Sequence, residues 1–491
     1  MRTMPIPWLL AAALVAGGCR GTWNGWLRPV GPDYCRPEAP VAEQWVDQLD
    51  RRITTDVGRY EDWWTVFNDP VLDDLVHLAY GQNLSLKVAG LRIVEARAQR
   101  RIAAGNLFPQ LQQAFADYRR VNLSRTEANV EPTTFFDVWD AGFDLSWELD
   151  VWGRFRRAVE SADANLNASV EDYDDVLVIL IADVASTYVE IRAFEERIAL
   201  AHKNVDLQRG SERIAQAQLA AGVVTDLDVQ EARANLTQTQ ARIPLLEIGR
   251  RQTQNRLCVL LGIPTRDLRE LLGEGRPVPS APAEVAVGIP AELLRRRPDV
   301  RRAEREVAAQ SARIGIAAAD LYPRLALNGA IEVNSNNLSS LFMSSSTAGF
   351  IGPSLRWDIL NYGRITNNIR VHEARFEQLV VGYENTVLKA NQEAEDAMVA
   401  FLQSQQRTVY LAESAGAARR AVEIAELQYR EEQIDLNRLF DLQVLLVKQE
   451  DQLAQSKADI AIGLVRLYKA LGGGWQIRYG QQQLAADEFQ P

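Results

Sequence analysis

Cysteine and histidine are scarce in this 491-residue chain. The three cysteines, Cys19, Cys35 and Cys258, and the three histidines, His77, His202 and His372, are scattered. A zinc site or a disulfide framework needs paired spacings, and none occurs, so no metal and no cofactor is expected. Clustered basic residues are also lacking. The formal net charge is −11, which argues against a nucleic-acid partner, because phosphate binding needs concentrated Lys and Arg. No nucleophile–base pair stands out. The GGG of residues 472–474 is followed by Trp475 rather than Lys-Ser or Lys-Thr, so it reads as a helix C-terminus and not a phosphate loop. The chain is therefore not expected to be an enzyme. Past the N-terminus no apolar run approaches the roughly 18 residues of a spanning helix. The best candidate, Val176 to Ala182, is broken by Asp183. If the chain crosses a membrane it must do so as strands, which hydrocarbon tolerates only in a closed barrel. Proline is missing over two long spans, Gly153 to Pro244 and Pro353 to Pro491. Because proline costs about 3 kcal/mol inside a helix, such gaps mark long helices.

What is present begins with a leader. Arg2 supplies a positive charge, Ile6 to Val15 a short apolar run, and LVAGGC (residues 14–19) a small-residue approach to Cys19. The run is too short to span a membrane and suits a secretory signal over residues 1–18. A cysteine after small residues resembles the lipobox of bacterial lipoproteins, in which Cys19 would be diacylated and become the mature N-terminus. The usual leucine three places before it is Ala16 here. Arg20, rather than an aspartate, favours outer over inner membrane. The plainer reading is an ordinary signal peptide that contains Cys19.

The chain is written twice, with an offset of about 210 residues. SWELDVWGRFRRA (146–158) aligns with RWDILNYGRITNN (356–368), placing Trp147 on Trp357, Gly153 on Gly363 and Arg154 on Arg364. AAGNLFPQL (103–111) matches AAADLYPRL (317–325) with a drift of four, as loop insertions would cause. After each Gly-Arg pair, apolar residues recur at steps of four and three. The first series includes Phe155, Val159, Leu166, Tyr173, Leu177, Val184 and Ile191, and the second Ile365, Ile369, Phe376, Tyr383, Val387, Ala394 and Phe401. This is a coiled-coil seam. It predicts helices over Arg154 to Leu219 and Arg364 to Tyr429, each about 100 Å long at 1.5 Å per residue. Gly153 and Gly363 suit the unusual backbone angles of a strand-to-helix turn.

Before each Gly-Arg pair lie strand-like segments, 112–121 with 138–147 and 324–333 with 349–357, each pair joined by a polar loop. Alternation is partial, as transmembrane strands show. Tyr118, Phe135, Phe136, Trp139, Trp147, Phe342, Phe350 and Trp357 are candidates for interfacial girdles. The alternative is two soluble hairpins with aromatic cores. Four strands are too few to close a barrel and leave edges unpaired in lipid, so several chains must pool strands; three chains would give twelve.

In this order, VGPDYCRPEAP (30–40), WWTVFNDPVLDDLVHLAYGQNLSL (63–86), SWELDVWGR, GIPAELLRRRPDVRRAE (288–304), AAADLYPRLALNG (317–329), GPSLRWDILNYGR (352–364) and LYKALGGGW (467–475) resemble the TolC-like outer-membrane factors. The resemblance is to the lipoprotein branch that serves resistance-nodulation-division pumps, and it covers nearly the whole mature chain. It implies a mainly α fold with a transmembrane β-barrel: four strands per protomer in a trimeric twelve-stranded barrel, a long periplasmic helical barrel, and a mixed equatorial domain. The implied layout is signal peptide 1–18, lipid-anchored segment 19–70, first repeat 71–262, equatorial linker 263–298, second repeat 299–471 and tail 472–491. The implied partners are two further copies, a periplasmic adaptor, an inner-membrane transporter of that pump class, and outer-membrane lipid. The implied activity is passive export of drugs or toxic small molecules. A protein-secretion or metal-efflux duct of the same fold is the alternative, and a pore-less periplasmic coiled-coil lipoprotein is the reading from another class.

The hairpin turns expected at the far ends of the long helices fall at 218–229 and 428–442. Gly222 suits a left-handed turn, with Asp226 and Asp228 beside it; Glu432 stands where the family usually keeps glycine. By resemblance, Asp441 faces the pore and Tyr429 belongs to the closed network. Asn437 stands where a leucine plug is common, which leaves that part to Leu436 or Leu439. Three copies of Asp441 around an axis would form a carboxylate ring that favours cations.

Overall fold

The computed structural model describes residues 28–56, 60–123, 135–431 and 433–479. Cys19, Glu432 and most of the first hairpin loop lie outside the described residues. In chain order, the two-residue strand β1 (Ile53–Thr54) is followed by α1 (Pro70–Gln82) and α2 (Leu84–Gly105). Strands β2 (Leu111–Asn122) and β3 (Phe135–Leu149) precede α3 (Arg154–Ala220) and α4 (Asp226–Leu260). The short pieces α5 (Arg269–Leu272), β4 (Val285–Ala286) and α6 (Leu293–Arg296) lead to α7 (Pro298–Ala319). Then come β5 (Arg324–Ser335), β6 (Thr347–Arg356), α8 (Arg364–Arg430) and α9 (Leu436–Ala470). The run α2-β2-β3-α3-α4 of the first half thus recurs as α7-β5-β6-α8-α9 in the second. Helices α3 and α8 each have 67 residues and α4 and α9 each 35.

Local chemistry explains where the long helices start. Asp150 accepts hydrogen bonds from the backbone N–H of Phe155 and Arg156, both at 3.0 Å, satisfying orphan donors at the N-terminus of α3. The first-turn bonds Arg157 N–H to Gly153 O (2.8 Å) and Asn367 N–H to Gly363 O (2.9 Å) repeat in both copies. The seam is buried from Leu177 in α3 and from Tyr383 in α8, whereas Ile365, Ile369 and Phe376 are only half-buried. Proline is not an absolute stop: Pro244 lies inside α4, which continues through it.

The chain divides into two compact units, and each draws on both repeats. One comprises 1–38, 95–167 and 304–381, the other 39–94, 168–303 and 382–491. The first holds a four-stranded antiparallel sheet in the order β2-β3-β5-β6. Pro353 in β6 has no N–H to give a ladder, and it stands opposite Leu327 of β5. The second unit holds the large core, in which Trp63 stacks on Tyr468 at 5.3 Å and Leu177, Ile181, Phe401 and Leu464 are fully buried. Here the parallel pair β1-β4 joins the N-terminal segment to the linker. The triple glycine closes α9 as a helix C-terminus: Gly473 N–H reaches Tyr468 O at 3.0 Å, and Gly472 has φ +72°. Among the described residues no helix is long and apolar enough to cross a membrane.

Candidate functional site

The sheet has two chemically different faces. Register places Asp117 opposite Asp140, Gly142 opposite Glu332 and Ser146 opposite Asn328, so these residues share one face. On it Arg119 pairs with Asp140 at 2.6 Å, Ser146 donates to Asn328 at 2.7 Å, and Asn328 donates to Ser354 at 2.7 Å. The other face carries Trp139, Phe143, Leu145, Leu327, Ile331, Ile351 and Leu355. Arg120 and Asp137 interrupt that apolar face, facing each other near the loop end of the first hairpin. One polar and one apolar face is the alternation that a barrel strand in lipid requires. Gly142 is closely packed on the polar face: an added Cβ would meet Ile331 O at 2.7 Å and the Phe115 ring at 2.9 Å.

The aromatic girdle is narrower than the sequence suggests. Tyr118, Phe135, Trp139 and Trp147 sit on the apolar face, with Tyr118 against Trp139 at 4.4 Å between ring centres. Phe136 and Phe350 belong to the polar face instead, because strand parity places them there. Trp147 donates to Leu107 O at 3.2 Å and Trp357 to Leu321 O at 3.0 Å, the same contact in each repeat.

Gly153 and Gly363 take φ of +81° and +79°, as the sequence predicts. Their surroundings differ. Behind Gly153 lies Pro29, 2.4 Å from where a Cβ would stand; behind Gly363 the nearest atom is Asn367 Nδ2 at 3.5 Å. The contact with Pro29 is invisible in sequence, since it joins residues far apart. Arg154 lies 3.5 Å from Glu148 and 3.9 Å from Asp320, whereas Arg364 donates to Asn361 O at 3.3 Å.

The hairpin ends in the second unit form a small site of their own. Gly222 has φ +75°, and Val223 N–H closes the α3 terminus on Gln218 O at 2.9 Å. Gln433 N–H makes the same closure on Gln428 O at 2.8 Å after α8. Asp228 accepts from Thr225 N–H (2.8 Å) and Thr225 Oγ1 (2.7 Å), and these bonds hold its carboxyl below the usual range. Asp226 occupies the first turn of α4, at the positive end of the helix dipole. Tyr429 is buried and donates to Gln218 Oε1; burial first, and the Asp228 charge second, push its hydroxyl upward.

Leu436 and Leu439 lie inside the chain's own packing. They are 3% and 1% exposed and pack with Ala215, Val229, Tyr429 and Phe440. They join the two hairpins and are buried within the chain. Asn437 and Asp441 are exposed one turn apart on α9, the spacing that puts two side chains on one face. Among the described residues no cluster of His, Cys, Asp and Glu could hold a metal, and neither Cys35 nor Cys258 forms a disulfide.

An amphipathic sheet joined to paired helices of this length matches one known architecture. The pattern of the family described as outer membrane efflux protein fits residues 75–263 and 289–473. The chain belongs to that family. Proteins similar to it include nodulation protein T of Rhizobium leguminosarum bv. trifolii, 30% identical over 91% of this chain and 94% of the relative. The pyoverdine export outer membrane protein OpmQ of Pseudomonas putida is 31% identical over 84% of this chain and 88% of its own. The solved outer-membrane channel OprN superposes with a TM-score of 0.84 at 34% identity, covering 91% of this chain and 99% of that one. This efflux protein thus belongs to a family of outer-membrane channel proteins, which are not enzymes.

Proposed function

We propose that the protein is the outer-membrane exit duct of a tripartite efflux pump, passively releasing small toxic molecules delivered from the inner membrane. The observation that carries this reading is the four-stranded sheet with one apolar and one polar face and, among the described residues, two unpaired edges. Such a sheet is stable in lipid only when copies close it into a barrel. Three copies give the twelve strands expected from the sequence, with the polar faces lining a water-filled passage. The paired helices α3/α4 and α8/α9 then extend into the periplasm, where an adaptor and a resistance-nodulation-division transporter meet them. Cys19 carries the lipid anchor. The export of a small molecule named for the OpmQ relative favours this over a protein-secretion duct.

The gate lies at the hairpin ends. Asp441 and Asn437 form the pore-facing pair, Tyr429 braces the two hairpins, and Leu436 and Leu439 pack behind them. Native mass spectrometry in detergent is expected to give three copies, and planar bilayers a cation-preferring conductance. Asp441→Ala is expected to change conductance, selectivity and divalent block while leaving assembly intact. A stable monomer that conducts would overturn the trimer, and unchanged recordings would overturn the gate assignment.

A further inference from the structure

The internal repeat specifies how neighbouring copies join. Each repeat contributes one hairpin, and one seam between repeats is already present in the chain, where β3 pairs with β5. That seam is fastened at its helix end by Trp152, whose ring stacks on Tyr322 at 4.6 Å and whose indole donates to Pro323 O at 2.8 Å. The counterparts of these residues in the opposite repeat are Tyr362 for Trp152 and Phe108 for Tyr322. Both are left bare: Tyr362 is 93% and Phe108 67% exposed. Tyr362 also holds φ +50°, a conformation rare for a bulky residue. Ile359 and Leu360 beside it are exposed as well. The strand itself tells the same story. β3 runs to Leu149 because Trp147, Glu148 and Leu149 pair with β5. Their counterparts Trp357, Asp358 and Ile359 pair with no strand among the described residues, and β6 ends at Arg356.

We infer that β6 of one copy pairs antiparallel with β2 of the next in a single defined register, with Gly352 opposite Arg119, Ser354 opposite Asp117 and Arg356 opposite Phe115. We further infer that Tyr362 packs on Phe108 of that neighbour. This rests on the barrel proposed above and adds its seam. Gly142 faces Phe115 within the first hairpin and Gly352 faces Asn328 within the second, so Phe115 and Asn328 are counterparts. Glu332 lies four residues past Asn328, and Arg119 four past Phe115. The internal pair Gly142–Glu332 therefore maps onto Gly352–Arg119 between copies.

Face parity supports the same register. Gly352 shares its face with Asn328 and Ser146, and Arg119 belongs to that same polar face. A slip of one residue would turn the apolar side of one copy toward the passage. The register also sets Arg356 diagonally beside Asp117, a favourable cross-strand pair.

The one irregularity in the mapping has a structural cause. The repeats align with one more residue between Leu107 and β2 than between Leu321 and β5. At that place the Gln110 side chain takes both backbone bonds of Glu148, accepting at 2.7 Å and donating at 3.2 Å. The extra residue is absorbed there, before the seam begins.

Cysteine pairs test the register in the full-length chain carrying Cys35→Ser, with buried Cys258 retained. Within one chain, positions 117 and 354 lie on opposite edges of a four-stranded sheet and are offset along it, since Ser354 faces Ala326 and Ala326 faces Glu148 whereas Asp117 faces Asp140; three strand spacings of about 4.8 Å alone put them more than about 14 Å apart, beyond disulfide reach. Any disulfide between them therefore joins two copies. Asp117→Cys with Ser354→Cys is expected to give covalent trimer on non-reducing gels after mild oxidation. Phe115→Cys or Arg119→Cys with Ser354→Cys, slipped by two residues, is expected to remain monomeric on the same gels. Trimer from a slipped pair, or none from the in-register pair in a protein that native mass spectrometry shows to be trimeric, overturns the register alone. A protein that is not trimeric overturns the barrel reading itself. Tyr362→Ala and Phe108→Ala, singly and together, test the clasp by the temperature at which trimers dissociate. Each single change should lower it and the double change should lower it no further, whereas additive losses would refute the contact.

Discussion

Gly153 and Gly363 occupy the same place in the two repeats and hold nearly the same left-handed angle, yet alanine should affect them differently. An alanine in that conformation costs about 1–2 kcal/mol, partly offset by about 0.4–1 kcal/mol from a stiffer unfolded chain. These contributions are common to both positions and cancel in the comparison. What differs is space. At Gly363 the nearest atom, Asn367 Nδ2, stands at ordinary contact distance, 3.5 Å from a new Cβ. At Gly153 the new Cβ would sit 2.4 Å from Pro29 Cβ and 2.5 Å from its Cα. Pro29 cannot simply retreat. Its neighbour Val30 donates to Trp152 O at 2.9 Å. Arg157 holds Val30 O at 3.2 Å, Gly31 O at 3.3 Å and Asp33 at 2.8 Å. Forcing an extra carbon into such packing costs about 1–3 kcal/mol, and the N-terminal strap is the part that must yield.

Hydrogen exchange reads that yielding without requiring reversible unfolding of the whole assembly. If the clash is expressed as easier opening of the strap, amide exchange in a peptide covering residues 30–36 should rise roughly 5- to 150-fold in Gly153→Ala. In Gly363→Ala the same peptide should exchange as in the parent protein. Equal exchange of the strap in both variants, or a strap in Gly153→Ala as protected as the parent's, would refute the packing argument and leave only the shared backbone strain.

Asp174 is fully buried between Arg478 at 3.1 Å and Arg301 at 3.3 Å, and burial outweighs both cations to push its carboxyl up to about 7. The folded state then binds this proton before the unfolded state does, so the group's contribution to stability grows as pH falls from about 7 toward the ordinary carboxylate range. Both arginines lie over Trp475, at 4.4 and 5.5 Å. The fluorescence of Trp475, taken as the difference from Trp475→Phe, should therefore change with a midpoint near pH 7, and Asp174→Asn should abolish the change. For Asp228 the sign is opposite: its lowered carboxyl stabilises the α4 terminus at neutral pH and loses that effect as pH falls through the folded-state value. Thr225→Ala should weaken that cap by about 0.5–2 kcal/mol, visible as faster exchange at 223–229. Mass spectrometry of the mature N-terminus should find Cys19 acylated, and an unmodified cysteine would remove the anchor.

Much of the fold was legible because its signals are local and periodic. The absence of proline and the seam from Phe155 to Ile191 predicted α3 to within a residue of its observed end, and the second copy predicted α8 equally closely. The strands were legible from alternation between polar loops, and Gly153, Gly222 and Gly363 from the angles their turns demand. What was hidden depends on contacts distant in sequence. Nothing local marks Pro29 as the wall behind Gly153, or Gln218 as the partner of Tyr429. Leu436 and Leu439 look available for a plug because a helix face cannot be assigned until its neighbours are known; here Val229 and Ala232 of α4 and Ala425 of α8 share their cluster. The drift between repeats was legible as a shift, but only the geometry of Gln110 shows where one residue of it is taken up.

The two repeats provide a control on one another that neither sequence nor structure provides alone. Where both copies make the same contact, as Trp147 with Leu107 and Trp357 with Leu321 do, the contact belongs to the repeat itself. Where one copy makes a contact and the other exposes the same residues, the difference cannot come from local propensity, because the local sequences correspond. Trp152 is stacked and hydrogen-bonded, while Tyr362 is almost wholly exposed. β3 is flanked by strands on both sides, while β6 has one. These inequalities all lie on the two open edges of the sheet, and a single operation, placing a second copy beside the first, removes each of them. A monomeric sheet would leave Ile351, Leu355, Trp357 and Leu360 exposed together with two rows of unpaired backbone groups, which water tolerates poorly and lipid hardly at all. The asymmetry within one chain is therefore the strongest physical reason to read that chain as a fraction of a closed ring.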